Sequence, residues 1–127
     1  MTYLQRINYR PVMDGLTQEE QAALNGIFDA YGAEMLVYGD AVPWRFIEEV
    51  EVVPAPRAAG PAGWFVKKVF LKGVERYHIG VYFGPREVVL PNITIGQVKY
   101  VLETVAYYAP NPIKYTGPEG VVRLTEI

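Results

Sequence analysis

Alternation of polar and apolar side chains over residues 76–83 (RYHIGVYF) constrains the fold more than any other feature of the chain. A two-residue period is that of a β-strand whose two faces meet different surroundings. Gly84-Pro85 then predicts a turn into another strand over residues 86–90. The strand's core face is expected to carry Tyr77, Ile79, Val81 and Phe83.

Further strand candidates extend this pattern into an antiparallel meander. Residues 44–53 and 64–71 are rich in β-branched and aromatic side chains, which favour strands. Between them, the Pro-, Ala- and Gly-rich residues 54–63 predict a mobile loop. The remaining candidates are a short strand at residues 2–9, another at residues 34–38 before a turn, and a hairpin over residues 113–125.

A capping box predicts a helix near the N-terminus. Thr17 and Glu20 have the spacing at which a hydroxyl and a carboxylate bond each other's backbone amides. Gly32 follows as the expected C-terminal cap. The apolar face predicted for this helix carries Leu24, Ile27, Phe28 and Tyr31, at helical spacing.

A second capping box, Thr94 with Gln97, predicts a helix that runs to Ala109 and stops at Pro110. Pro91-Asn92 before it is expected to break the sheet. The predicted core face of this helix carries Val98, Val101, Leu102, Val105 and Ala109. Together these elements predict one α+β domain over residues 1–127. We expect an antiparallel meander or partly open barrel capped by a C-terminal amphipathic helix, with an additional N-terminal helix.

Composition excludes several classes of function. A net charge of −2 argues against nucleic-acid binding, which needs a basic surface to neutralise phosphates. The absence of cysteine excludes disulfides, thiolate catalysis and cysteine-type zinc sites. The N-terminus lacks the apolar stretch of a signal peptide, and no apolar run could span a bilayer. A cytoplasmic protein without integral membrane insertion is therefore expected.

The clustered charges are interpreted as pairs across a sheet. A basic group, made of Lys67, Lys68, Lys72 and Arg76, follows an acidic run made of Glu48, Glu49 and Glu51. An anion site is the alternative, but surface charges are usually only solvated. Glu49 and Glu51 share a strand face and could bind a hard cation. An edge strand kept soluble by charge is the commoner reason for such a run.

No motif nominates an enzyme or a cofactor. The chain contains no serine, no phosphate-binding glycine loop and a single histidine, His78, which lies opposite the predicted core face. One histidine cannot form a multi-histidine metal site, and a catalytic role would need a partner within hydrogen-bond reach. The sequence therefore favours a protein without cofactors and without enzymatic activity, and an enzyme that uses threonine or carboxylate chemistry stays open as the alternative.

The outer face of the second helix carries an unusual pair of aromatic side chains. Tyr100 and Tyr107 stand one above the other, opposite the core face, where Lys, Glu or Gln is usual. Because tyrosine is enriched in interfaces, these residues predict self-association or a protein partner. The alternative interpretation is a helix covered on both sides by its own chain, with the tail folded across it.

A second hypothesis places a cleft beside the sheet, where the protein would bind a small molecule or act on one. Its lining would include Trp44, Trp64, His78 and Tyr82, covered by the loop at residues 54–63. A third hypothesis is a structural subunit that needs a foreign partner.

The chain carries the segments WRFIEEVEV at residues 44–52, YHIGVYF at residues 77–83, and VLPN at residues 89–92, which enters an amphipathic helix. Over residues 34–109 this arrangement resembles bacterial pleckstrin-homology-like domains. The resemblance implies a partly open barrel capped by one helix, and binding or self-assembly rather than catalysis. The chain has about five strands before the helix where the family has seven, and it lacks the basic loop of lipid-binding members. Lipid binding and individual family residues are therefore not carried over.

Overall fold

The computed structural model describes residues 1–55 and 76–126, and the α+β class is confirmed. The described helices are α1, Gln18–Asn25, and α2, Ile95–Tyr108. Short 3-10 turns occur at Met13–Gly15 and Trp44–Phe46. The nine described strands are β1 Thr2–Leu4, β2 Phe28–Ala30, β3 Glu34–Val37, β4 Asp40–Pro43, β5 Ile47–Pro54, β6 Tyr77–Phe83, β7 Arg86–Ile93, β8 Lys114–Thr116 and β9 Leu124–Glu126.

The described strands form two open sheets and no closed barrel. The larger sheet has the order β7-β6-β5-β8-β1-β9, in which only the β5–β8 pair is parallel. Strands β5, β6 and β7 form an antiparallel meander in which β5 pairs directly with β6, whereas the predicted meander had a strand over residues 64–71 between them. On β6 the predicted core face is buried at Ile79, Val81 and Phe83. The strand predicted at residues 64–71 lies outside the described residues.

The second sheet, β2-β3-β4, overturns the second half of the predicted N-terminal helix. The helix begins at the predicted capping box but ends at Gly26, whose amide bonds back to Ala22. Phe28 instead pairs with Val37 in β2 and is buried. Strand pairing satisfies the backbone and buries this aromatic ring, and it outweighs a helical spacing built on weak helix formers. Gly32 is therefore not a helix cap.

The segment predicted as one strand from Trp44 to Val53 contains a 3-10 turn before β5. The turn places Trp44 in the core, where its indole N–H donates to the Tyr31 carbonyl at 2.7 Å. The ring also stacks on Tyr108, with centroids 4.9 Å apart. These contacts explain why the chain leaves the extended conformation at this point.

Helix α2 follows its sequence prediction closely. Thr94 and Gln97 form the capping box, and the predicted core face is buried at all five positions. The two capping boxes also bond each other: the Thr94 hydroxyl donates to the Glu20 carboxylate, and the Gln97 amide donates to the Glu20 carbonyl at 2.9 Å. The starts of α1 and α2 are therefore joined by one hydrogen-bond network.

The sheet does not break at Pro91-Asn92, contrary to expectation. Strand β7 continues to Ile93 through a bulge, because Tyr77 pairs with Ile93 whereas Ile79 pairs with Leu90. Asn92 takes a positive φ of 57°, and its amide donates to His78 Nδ1 at 2.9 Å. The bulge accommodates one extra residue of β7, and His78 accepts the hydrogen bond of the Asn92 amide, so the pairing continues to Ile93.

The predicted C-terminal hairpin is also wrong. Strand β1 lies between β8 and β9 and pairs with both, so the two tail strands do not pair with each other. The N-terminal strand supplies the hydrogen bonds that a hairpin would have supplied locally. No helix within the described residues is long and apolar enough to cross a membrane.

Candidate binding groove

A groove of about 670 Å³ opens at one end of the β5-β6-β7 meander. Three segments meet there: the Trp44–Phe46 turn, the β6–β7 turn, and the chain just after α2. We call it the arginine groove. Its described lining consists of Ala41, Pro43, Arg45, Phe46, Ile47, Glu48, Phe83, Gly84, Pro85, Arg86, Asn111 and Pro112.

Strand register brings the two ends of the meander to this site. Strand β5 begins where β6 ends, because Ile47 pairs with Phe83. Phe83 also pairs with Arg86 across a two-residue turn, in which Gly84 takes a positive φ of 62°. Glycine adopts this conformation without a Cβ clash. Glu48 is the extra residue of a bulge in β5, and it faces the groove because bulges redirect side chains.

The apolar part of the groove is partly open to solvent. Phe46 keeps 50% of its surface exposed, whereas Phe83, which also lines the groove, is 6% exposed. The Asn111 side-chain amide donates to the Arg45 carbonyl at 3.0 Å and ties the chain after α2 to the 3-10 turn. The wall of the groove is therefore fixed by a long-range hydrogen bond.

Two arginines carry the positive charge of the site. The Arg45 guanidinium lies 4.7 Å from the centroid of the Phe46 ring, and that of Arg86 lies 5.5 Å from the Phe83 centroid. These are cation–π distances. Neither arginine forms an ion pair with a carboxylate in residues 1–55 and 76–126. Their N–H groups are thus open to an oxyanion.

The lining combines apolar side chains with a few polar groups. Its described residues include no Ser, Thr, His, Tyr or Lys, and Glu48 is their one carboxylate. The groove offers apolar surface, an amide and two guanidinium groups.

A second groove of about 760 Å³ lies beside α2 and is more polar. We call it the tyrosine groove, and it is lined by Gln5, Arg6, Ile7, Asn8, Tyr9, Tyr107, Tyr108 and Arg123. Its polar groups are partly engaged within the chain. Arg6 donates to the Pro110 carbonyl at 3.2 Å, and the Tyr9 hydroxyl donates to Glu103 at 3.1 Å.

The structure places the two predicted interface tyrosines in different surroundings. Tyr100 is half-buried, edge-on to Phe28 with centroids 6.4 Å apart. Tyr107 is half-buried in the tyrosine groove and packs edge-on against Tyr108. Residues 5–9 and 120–123 line grooves on this side of α2. Self-association through these tyrosines stays a prediction.

Among the described residues of the predicted cleft, Trp44 is not brought together with His78 and Tyr82. Trp44 is 2% exposed in the core, while its neighbour Arg45 lines the arginine groove. His78 and Tyr82 lie on the outer face of β6. Trp64 lies outside the described residues, as do Lys67, Lys68 and Lys72. The charge pairing predicted for those lysines therefore stays a prediction.

The outer sheet face carries a tyrosine between carboxylates. Tyr82 pairs with Glu49 on one side and Glu87 on the other, and its hydroxyl donates to Glu51 at 3.2 Å. Desolvation, followed by the hydrogen bond to Glu51, raises the pKa of Tyr82 to about 12. The hydroxyl therefore stays protonated at neutral pH. Within the described part of the chain, no three acidic or histidine side chains are grouped so that they could hold a metal.

Sequence reasoning missed both arginines of the groove, although a signal exists. Each arginine is near a phenylalanine beside a chain reversal, in Trp44-Arg45-Phe46 and Phe83-Gly84-Pro85-Arg86. In an antiparallel pair the start of one strand lies beside the end of the next. The two Arg–Phe pairs could therefore have been placed together once the meander was predicted.

No family model matches the chain, and neither a curated protein nor a solved structure is significantly similar to it. The pleckstrin-homology-like resemblance therefore stays a prediction.

Proposed function

We propose that this protein is a non-enzymatic binding domain whose small-molecule ligand occupies the arginine groove. Support comes first from size, because pockets for small molecules span roughly 300–1,000 Å³, and this groove measures about 670 Å³. It comes second from composition, because mostly apolar walls with a few polar groups are typical of such sites.

The observation that carries the proposal is the exposed ring of Phe46 at an apolar wall. A phenylalanine that is 50% exposed leaves apolar surface in water. Covering such surface contributes about 25 cal/mol for each Å² removed from water. A ligand seated against Phe46 gains this free energy without requiring the core to rearrange.

The test is a titration with N-phenyl-1-naphthylamine, a neutral apolar probe whose fluorescence rises on binding. We expect saturable binding to the wild type. Phe46→Ala should weaken it roughly tenfold, which corresponds to about 1.4 kcal/mol of lost apolar contact. Tyr38→Ala is the matched control, since Tyr38 is also an exposed aromatic residue but lies outside this groove. Equal binding by wild type and Phe46→Ala, or no binding to either, would contradict the proposal.

Self-association is the second candidate function, and the position of Tyr107 favours it. This tyrosine lies in a groove with Arg6 and Arg123, and protein interfaces are enriched in Tyr and Arg. Light scattering across a range of protein concentrations would test it. We expect a defined oligomer for the wild type and a lower mass for Tyr107→Glu. A wild-type monomer at every concentration argues against this candidate.

A further inference from the structure

We propose that the ligand of the arginine groove is a small organic carboxylate with an apolar body, bound by Arg45 and Arg86. This inference rests on the function proposed above and adds the chemical class of the ligand.

Arg45 and Arg86 lie at the same end of the sheet. Arg45 directly precedes Phe46 at the start of β5, and Arg86 opens β7. Phe83, on the intervening strand, pairs with Ile47 on one side and Arg86 on the other. Strands β5 and β7 are thus two strand spacings apart, about 10 Å. Two long side chains can converge on one group from opposite sides of this gap.

Both charged groups lie next to an aromatic ring. Each guanidinium lies over a phenylalanine ring of the same groove. Neither guanidinium donates a hydrogen bond to the described residues, and its fork of N–H groups matches the two oxygens of a carboxylate. The Phe46 ring, which is half exposed, supplies apolar surface next to the bound anion. An amphipathic ligand can therefore satisfy the charge and the aromatic surface together.

The described lining carries a small net positive charge. Two arginines and Glu48 give the described lining a net charge of about +1 at neutral pH. A singly charged carboxylate balances this charge. A phosphate ester, with a charge near −2, would leave an excess negative charge beside Glu48. Charge complementarity therefore favours the carboxylate over the phosphate.

The experiment measures displacement of N-phenyl-1-naphthylamine by three probes with the same chain: decanoate, decan-1-ol and decyl phosphate. All are used below their micelle concentrations and at constant ionic strength. The wild type should bind decanoate at least tenfold more tightly than decan-1-ol, and more tightly than decyl phosphate. In Arg45→Gln/Arg86→Gln the preference for decanoate over decan-1-ol should fall to less than threefold.

Arg123→Gln is the control for net charge, because it removes one positive charge from the tyrosine groove. It should keep the full preference for decanoate. If the neutral probe binds but decanoate and decan-1-ol displace it equally, the carboxylate inference is overturned and the proposed function stands. Tighter binding of decyl phosphate, or loss of the preference in Arg123→Gln, also overturns the inference. Failure of the neutral probe to bind overturns the proposed function itself.

Discussion

At the residue scale, Gly117 is the position where one added methyl group has the clearest consequence. A Cβ built there lies 2.8 Å from the Tyr115 hydroxyl oxygen and 3.0 Å from both the Cβ and the carbonyl oxygen of Val52. The Tyr115 hydroxyl is itself held, since it donates to the Pro118 carbonyl at 2.7 Å. Burial raises the pKa of Tyr115 to about 12, so the hydroxyl remains a neutral donor.

We therefore expect Gly117→Ala to lower the free energy of unfolding by about 1–3 kcal/mol, as overpacking against backbone does. Urea denaturation of both proteins measures the difference. Gly15→Ala is the control, because a Cβ at that position meets no atom within 4 Å. Equal losses in the two variants would mean that the tight packing around Gly117 does not determine the effect.

At the element scale, Glu20 connects the starts of α1 and α2. Its carboxylate accepts hydrogen bonds from the Thr94 hydroxyl and from the Thr17 amide. These two bonds, the Thr94 bond first, lower the pKa of Glu20 below its ordinary value of 4.5. A lowered pKa in the folded state stabilises the protein above pH 4.5. This stabilisation is lost as the pH falls through the folded-state pKa.

Glu20→Gln should therefore lower the free energy of unfolding at pH 7 by about 1 kcal/mol, the typical contribution of a helix cap. The difference from wild type should shrink as the pH is lowered from 5 to 3. Urea denaturation at several pH values measures it, with Glu19→Gln as a control at an exposed neighbouring position. A difference that does not depend on pH would contradict the role given to the Glu20 carboxylate.

Local patterns predicted those elements whose capping or alternation is complete within a few residues. Thr94, Gln97 and the apolar face of α2 are one such case, and the alternation along β6 is another. Prediction failed where a pairing strand outside the local pattern supplies the partner. Phe28 leaves the helical pattern because Val37 pairs with it, and the tail strands separate because β1 lies between them.

The same reason limited prediction of the site. The Tyr100 and Tyr107 positions on α2 followed from helical spacing, but Phe28 and residues 5–9, which neighbour them, come from elsewhere in the chain. Trp44 was expected in a cleft and is buried, because Tyr108 and the Tyr31 carbonyl bind its ring. Only the assembled sheet end shows that Arg45 and Arg86 share a groove.

At the scale of the whole molecule, one core joins both sheets and α2, and the arginine groove is built from three distant parts of the chain. The Asn111 bond to the Arg45 carbonyl fixes two of them together. Because the groove exists only in the folded protein, a ligand bound there also stabilises the fold, by an amount that grows with ligand concentration.

The most direct test of the account is a titration of the ¹⁵N-labelled protein with decanoate, followed by amide chemical shifts. We expect saturable shifts concentrated at Phe46, Gly84, Arg86 and Asn111, with small changes at Tyr107 and Arg123. Shifts concentrated in the tyrosine groove, or scattered over the surface without saturation, would contradict a ligand site in the arginine groove.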